Sequence, residues 1–179
     1  MGFRRLCTGL AVGALLAAAL PAAATLVKRA TIEESVRASD AIVLGRVLGQ
    51  RTVRLEDGTV ATAVRVRVEQ RLKGGFRGGA EIEITAYGGQ TPRGRFVVLG
   101  EATYQRGERV LLQLEVIDGR LHTLGLAAGK WNVRQDDSGE RFLTRDLAGL
   151  GLVGDAEMTE GPLPLSEFRD TLRRVMDER

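Results

Sequence analysis

Thr59 to Gly75 reads TVATAVRVRVEQRLKGG, and its parity decides the fold. Val60, Thr62, Val64, Val66 and Val68 share one parity, while Arg65, Arg67 and Glu69 share the other. A strand turns successive side chains to opposite faces, so this segment is expected as a half-buried β-strand with a valine side and a charged side. Leu72-Lys73-Gly74-Gly75 ends it with a charge and two glycines. The rest of the chain is expected to pack against the valine face.

The same period recurs on both sides. Ala41 to Leu48 is an apolar strand in which Gly45 marks a bend or bulge, and Arg51 to Gly58 is a hairpin arm closing at Glu56-Asp57-Gly58. Downstream, Ala80 to Ala86 alternates with Ile82 and Ile84 inside and Glu81, Glu83 and Thr85 outside. Gly88 to Gly94 (GGQTPRG) has the composition of a loop, and Phe96 to Leu99 that of a short strand. Arg109 to Ile117 is a buried strand, turned at Asp118-Gly119 into Arg120 to Leu126. Lys130 to Arg134 and Glu140 to Thr144 form a last hairpin around Asp136-Asp137-Ser138-Gly139.

Two helices flank these strands. Thr31-Ile32-Glu33-Glu34 matches the capping box, in which the threonine hydroxyl and the Glu34 carboxylate satisfy each other's backbone donors. The short helix it starts ends near Ser39-Asp40 and faces Ile32 and Val36 to the core. At the other end Ser166 is expected to cap a helix whose stripe is Leu165, Phe168, Leu172 and Val175. Short antiparallel strands with hairpin turns indicate a mainly β domain, a barrel or sandwich, bracketed by these helices.

The first 24 residues have the layout of a secretory signal peptide. Arg4 and Arg5 precede an apolar run from Leu6 to Leu20, Pro21 breaks it, and Ala22-Ala23-Ala24 supplies the small residues of a cleavage site before Thr25. The run is shorter than a membrane span needs, and Cys7 sits at its start, whereas a lipid-anchor cysteine would follow it. The protein is therefore expected to be exported, periplasmic or secreted, with no stable membrane span after processing. Removing 24 of 179 residues leaves 155, the size of one ordinary domain. The leader holds two of the 26 basic residues and none of the 23 acids, so the remainder carries +1. That charge makes no case for a polyanion, and the only cysteine leaves with the leader, so no disulfide or thiolate site is available. The expected division is leader 1–24, β domain 25–145, a flexible glycine-rich linker 146–164 and an amphipathic helix 165–179.

Ala38 to Val47 (ASDAIVLGRV) resembles the opening of a group of small exported bacterial proteins of unknown function, in which a helix ends at an aspartate and leads into a "VVGRV" strand. Val66 to Gly74 is similar to their second hallmark, a strand ending in "LKG". Gly107 to Leu112 resembles the third, and Gly125-Leu126 through Gly129-Lys130-Trp131 the fourth. The same order resembles the netrin-like module of the tissue inhibitors of metalloproteinases, over roughly residues 31 to 133. That resemblance implies a single antiparallel barrel of OB or netrin-like type. It also implies a role for Thr25, because those inhibitors coordinate a protease zinc through the amino group and carbonyl of their first residue. The chain departs from them in having no cysteine at that position or beyond.

The residues with chemical potential are few. His122 is the only histidine and shares parity with Leu124 and Leu126, which makes a strand histidine with satisfied nitrogens the expected state. Without a second histidine or a cysteine the common zinc sites are excluded. Gly89 to Arg95 (GQTPRGR) lacks the Lys-Ser/Thr pair of a phosphate loop. Asp136-Asp137 and Asp155 to Glu160 lack the alternating ligands of a calcium loop. Arg65, Arg67, Arg71 and Lys73 offer a basic face with Arg46, but aromatics are 4% of the chain and none lies in that strand, which argues against nucleic acid. Lys130-Trp131 is either core or, if exposed, a partner hot spot. No nucleophile, base and acid can be assembled, so no catalytic, cofactor or metal residues are expected. The reading is an exported non-enzymatic binding module whose possible contacts are Thr25, Arg65, Arg67, Arg71, Lys73, Lys130 and Trp131. Its alternatives are inhibition of a protease by the free N-terminus and binding of an envelope polyanion.

Overall fold

The computed structural model describes residues 25–159 and 161–178. The expected leader and its cleavage after Ala24 lie outside them. In chain order the elements are β1 (Thr25–Lys28), α1 (Ile32–Ala38), β2 (Ala41–Arg54), β3 (Val60–Lys73), β4 (Glu81–Thr91), β5 (Gly94–Val97), β6 (Arg109–Ile117), β7 (Arg120–Thr123), a 3-10 turn (Leu126–Gly129), β8 (Lys130–Gln135), β9 (Arg141–Thr144), β10 (Leu150–Val153), β11 (Leu163–Pro164) and α2 (Leu165–Asp177). The protein is mainly β with two helices. No helix among the described residues is long and apolar enough to cross a membrane.

Strand β3 has the parity its valines predict. Val64, Val66 and Val68 are buried, and Arg65, Arg67 and Glu69 face solvent. β2 pairs with β3 and β6, β3 pairs with β4, and β7 pairs with both β4 and β6, so the path β2–β3–β4–β7–β6 returns to its start. Its contacts are antiparallel except β4 with β7, parallel at Ile84 and Leu121. A ring of five strands cannot alternate direction all the way round, so one parallel pair is obligatory. The expectation of a purely antiparallel sheet is corrected here, and again at β1 and β10, which run parallel from Thr25 opposite Leu150 to Lys28 opposite Val153.

Alternation along β2 and β6 feeds two cores rather than one. Val43, Val47, Val110, Leu112 and Leu114 pack inward with the β3 valines, Ile82 and Ile84. Ile42, Leu44 and Leu111 point the other way, against Val36 of α1, Trp131 and Leu143, and the stripe Leu165, Phe168, Leu172 and Val175 of α2. The helices thus cover the outer face of the sheet. Gly45 lies at a register shift between β2 and β3, where a Cβ would sit 2.7 Å from the Arg67 carbonyl oxygen. The capping box of α1 forms in both directions, with Glu34 N donating to Thr31 Oγ1 at 3.2 Å and Thr31 N to Glu34 Oε2 at 2.8 Å.

Four expectations need correction. Gly88 to Gly94, expected as a loop, instead forms most of a hairpin, with 88–91 as one arm, Pro92 and Arg93 at the turn, and the expected strand at Phe96 starting earlier, at Gly94, and ending at Val97. The strand after Asp118-Gly119 stops at Thr123, because positive φ at Gly125 and Leu126 turns the chain into the 3-10 segment. The stretch expected as a linker holds β10, and β11, which pairs with Phe142 and Leu143. Finally, Pro164 and not Ser166 occupies the N-cap of α2, with no side-chain cap bond, because β11 runs directly into the helix.

Candidate functional site

Gly88 and Gly89 shape the most distinctive surface. Thr62 Oγ1 donates to the Gly88 carbonyl at 2.8 Å, and Gln90 N donates to Thr52 Oγ1 at 3.1 Å. These bonds lay the β4–β5 hairpin against the threonines of β2 and β3. A Cβ at Gly89 would lie 2.9 Å from Thr52 Cγ2, and one at Gly88 2.6 Å from the Phe96 carbonyl oxygen, so neither position accepts a side chain without movement. Across the hairpin, Gly89 faces Phe96 and Gly88 faces Val97. Cross-strand neighbours normally cover such side chains, and glycine offers none. Phe96 is accordingly 50% exposed and Val97 63%, and Val98 and Leu99 continue the exposed run.

Beside this run lies a cleft of about 560 Å³, lined by Thr52, Thr62, Tyr87, Phe96, Glu101 and Tyr104 among others. Glu101 accepts from Tyr87 N at 2.9 Å and Ala102 N at 3.0 Å. Burial raises its pKa above the usual carboxylate value, and the two backbone donors only partly oppose this. A carboxyl with a raised folded-state pKa binds its proton more tightly in the fold than in the unfolded chain. Stability is therefore expected to fall as the pH rises from the ordinary carboxylate range through the folded pKa. Glu101→Gln, which keeps an oxygen acceptor, should flatten that decline. Urea melts of both forms between about pH 4 and pH 7 test this, and equal slopes would remove the assignment. Tyr104, also buried, places its hydroxyl 2.7 Å from Thr123 Oγ1, and burial pushes its pKa up.

The expected contact residues separate sharply. Lys73, Lys130 and Trp131 lie inside the molecule and are withdrawn from any partner surface. Lys73 Nζ donates to the carbonyls of Val36, at 2.7 Å, and of Arg37 and Ser39, so it serves the open C-terminal end of α1. Lys73→Met should cost about 2 kcal/mol or more by leaving buried carbonyls without donors. A urea-midpoint change equivalent to under about 0.5 kcal/mol would show that water serves them instead. Lys130 Nζ lies 3.0 Å from Glu108 Oε1, donates to the Thr103 carbonyl and sits 5.0 Å from the Tyr104 ring centroid. Trp131 is 1% exposed.

Arg65, Arg67 and Arg71 are exposed, but most of the face they share is ion-paired. Glu81 lies 2.8 Å from Arg67 and 3.9 Å from Arg65. Glu69 is bracketed by Arg46 at 3.3 Å and Arg109 at 2.8 Å, and Arg51 reaches Glu83 at 3.2 Å. Arg71 has no carboxylate partner among the described residues. Of Thr25 the backbone is described, and it pairs with Leu150.

His122 is buried and stacked on Tyr87, with ring centroids 5.1 Å apart and planes at 28°. Burial lowers its pKa, which favours the neutral ring in that contact. Among the described residues no three His, Cys, Asp or Glu side chains gather as a metal site would require. The chain matches no protein-family model, no curated protein and no solved structure. Function therefore has to be argued from the site itself.

The surface that sequence reasoning missed is the hairpin and its cleft. Its signal was present in Gly88-Gly89 followed by Arg95-Phe96-Val97-Val98-Leu99, an apolar run next to residues that cannot cover it.

Proposed function

We propose that the chain is an OB-type barrel, exported and non-enzymatic, that binds a partner through the β4–β5 hairpin and the adjoining cleft. The five-strand path with one parallel pair fits the Greek-key order of such barrels. The observation that carries the binding reading is the exposed run Phe96 to Leu99 on and beside an edge strand. Apolar edge strands invite unwanted pairing, and folded proteins ordinarily blunt or cover them. A photo-reactive side chain at Val97, in cells that produce the protein, should give cross-linked adducts that the same group at Arg65 does not. Equal adducts from both positions, or none from Val97, would overturn the reading.

The polyanion alternative has less support, because Glu69, Glu81 and Glu83 already engage the arginines it needs. The protease-inhibitor alternative gains one specific support. Pairing of β1 with β10 restrains the backbone at Thr25, as disulfides do in the inhibitors the chain resembles. A chain beginning at Thr25 should then slow a zinc protease, and one extra alanine ahead of Thr25 should abolish the effect. Equal action of both forms, or of neither, would dispose of this second reading.

A further inference from the structure

We infer that the free edge of β5 takes up an extended peptide segment of another protein, rich in apolar and acidic residues, as an added strand. This rests on the binding role proposed for the hairpin and names the chemistry of its partner. Three observations converge on it.

The first is backbone. Among the described residues β5 pairs only with β4, so its outer edge presents unpaired donors and acceptors. An incoming strand satisfies such groups, which is how sheet edges capture peptides. A membrane cannot, because hydrocarbon offers the backbone no partners.

The second is side-chain cover. Phe96 and Val97 face Gly89 and Gly88 across the hairpin and so lack neighbours on that side. A strand on the other edge supplies the missing cross-strand contacts, which requires apolar residues in the segment.

The third is charge. Residues 88–99 include Arg93 and Arg95 and no acid. Neither arginine pairs with a carboxylate among the described residues, and the Glu101 carboxylate nearby is engaged by the N–H groups of Tyr87 and Ala102. An acidic segment complements that hairpin. A second copy of the chain does not, because antiparallel pairing of β5 with itself would bring like arginines together.

The test uses the purified, isotope-labelled chain and two blocked octapeptides, one alternating valine with aspartate and the other valine with lysine. The aspartate peptide is expected to shift and protect the backbone amides of Gly94 to Val97. It should bind at least about tenfold tighter than the lysine peptide at low salt, with the gap narrowing as salt screens it. The double variant Arg93→Glu, Arg95→Glu, altered only on the exposed hairpin, should reverse the preference while leaving the amide signals of the cores in place. Equal binding of both peptides, binding of neither, or shifts elsewhere would overturn the inference. So would sedimentation with phosphatidylglycerol vesicles in place of peptide binding, or a concentration-dependent dimer that pairs β5 with its own copy. Adducts from Val97 without a peptide preference would sink the strand addition alone, whereas loss of those adducts removes the binding reading as well.

Discussion

Trp131→Ala is expected to destabilise the chain by about 4 kcal/mol. The ring is 1% exposed and meets Phe168 edge-on at 6.4 Å, so it joins β8 to α2. Its Nε1 donates to Gln113 Oε1 at 3.1 Å, and Gln113 Nε2 donates in turn to Ser35 Oγ at 2.8 Å. Through Gln113, itself fully buried, the indole is tied to β6 and to α1. The Arg145 guanidinium lies over its face, 4.1 Å from the centroid. Alanine would leave a cavity, an amide oxygen without its donor and a cation without its ring. Trp131→Phe keeps much of the volume but not the N–H and should cost roughly half as much. Against a typical total of about 5–15 kcal/mol, the alanine variant would be marginal at physiological temperature. Urea melts followed by circular dichroism would measure it, and a loss below about 1 kcal/mol would mean that the second core does not depend on the indole.

Much of this architecture was legible because it is local. The alternation in Val64 to Glu69 and in Glu81 to Ile84 sets both the buried valines and the outward glutamates, and the ion pairs of Arg65 and Arg67 with Glu81 follow from those parities. Gly45 was legible as a bulge, and Thr31 and Glu34 as a cap. The rest depends on contacts between distant parts of the chain. Ring closure hangs on Ile84 beside Leu121, which no periodicity announces. Lys73 looks like one more solvated cation at a strand end until the C-terminus of α1 is laid over it. Gly88 and Gly89 suggest a loop by composition, whereas their lack of Cβ atoms is what lets the hairpin lie on Thr52 and Thr62. For the same reason Leu150 to Val153 reads as linker until β1 is beside it.

Val66→Asp and Arg67→Asp should differ by several-fold in cost although the positions are adjacent. Val66 is fully buried, set between Val47 on β2 and Ile82 on β4 in the inner core. A carboxylate there would lie among the apolar side chains of the inner core, and the arginines of β3 point to the other side. The expected loss is about 3 kcal/mol or more, enough to unfold much of the population at neutral pH. Arg67, by contrast, is exposed and loses only its 2.8 Å contact with Glu81, a pair open to solvent. Its replacement also sets one carboxylate near another, yet exposed pairs are worth at most about 1 kcal/mol, so the cost should stay near or below that. Acid separates the mechanisms. Burial would raise the pKa of an aspartate at position 66, and protonation would remove the charge the core cannot solvate. The Val66→Asp variant should therefore regain stability relative to the parent as the pH falls toward about 4. Arg67→Asp should show only a slight change of that kind, from relief of repulsion with Glu81. Equal losses at neutral pH would reverse the parity of β3, and with it the inner core built on that strand.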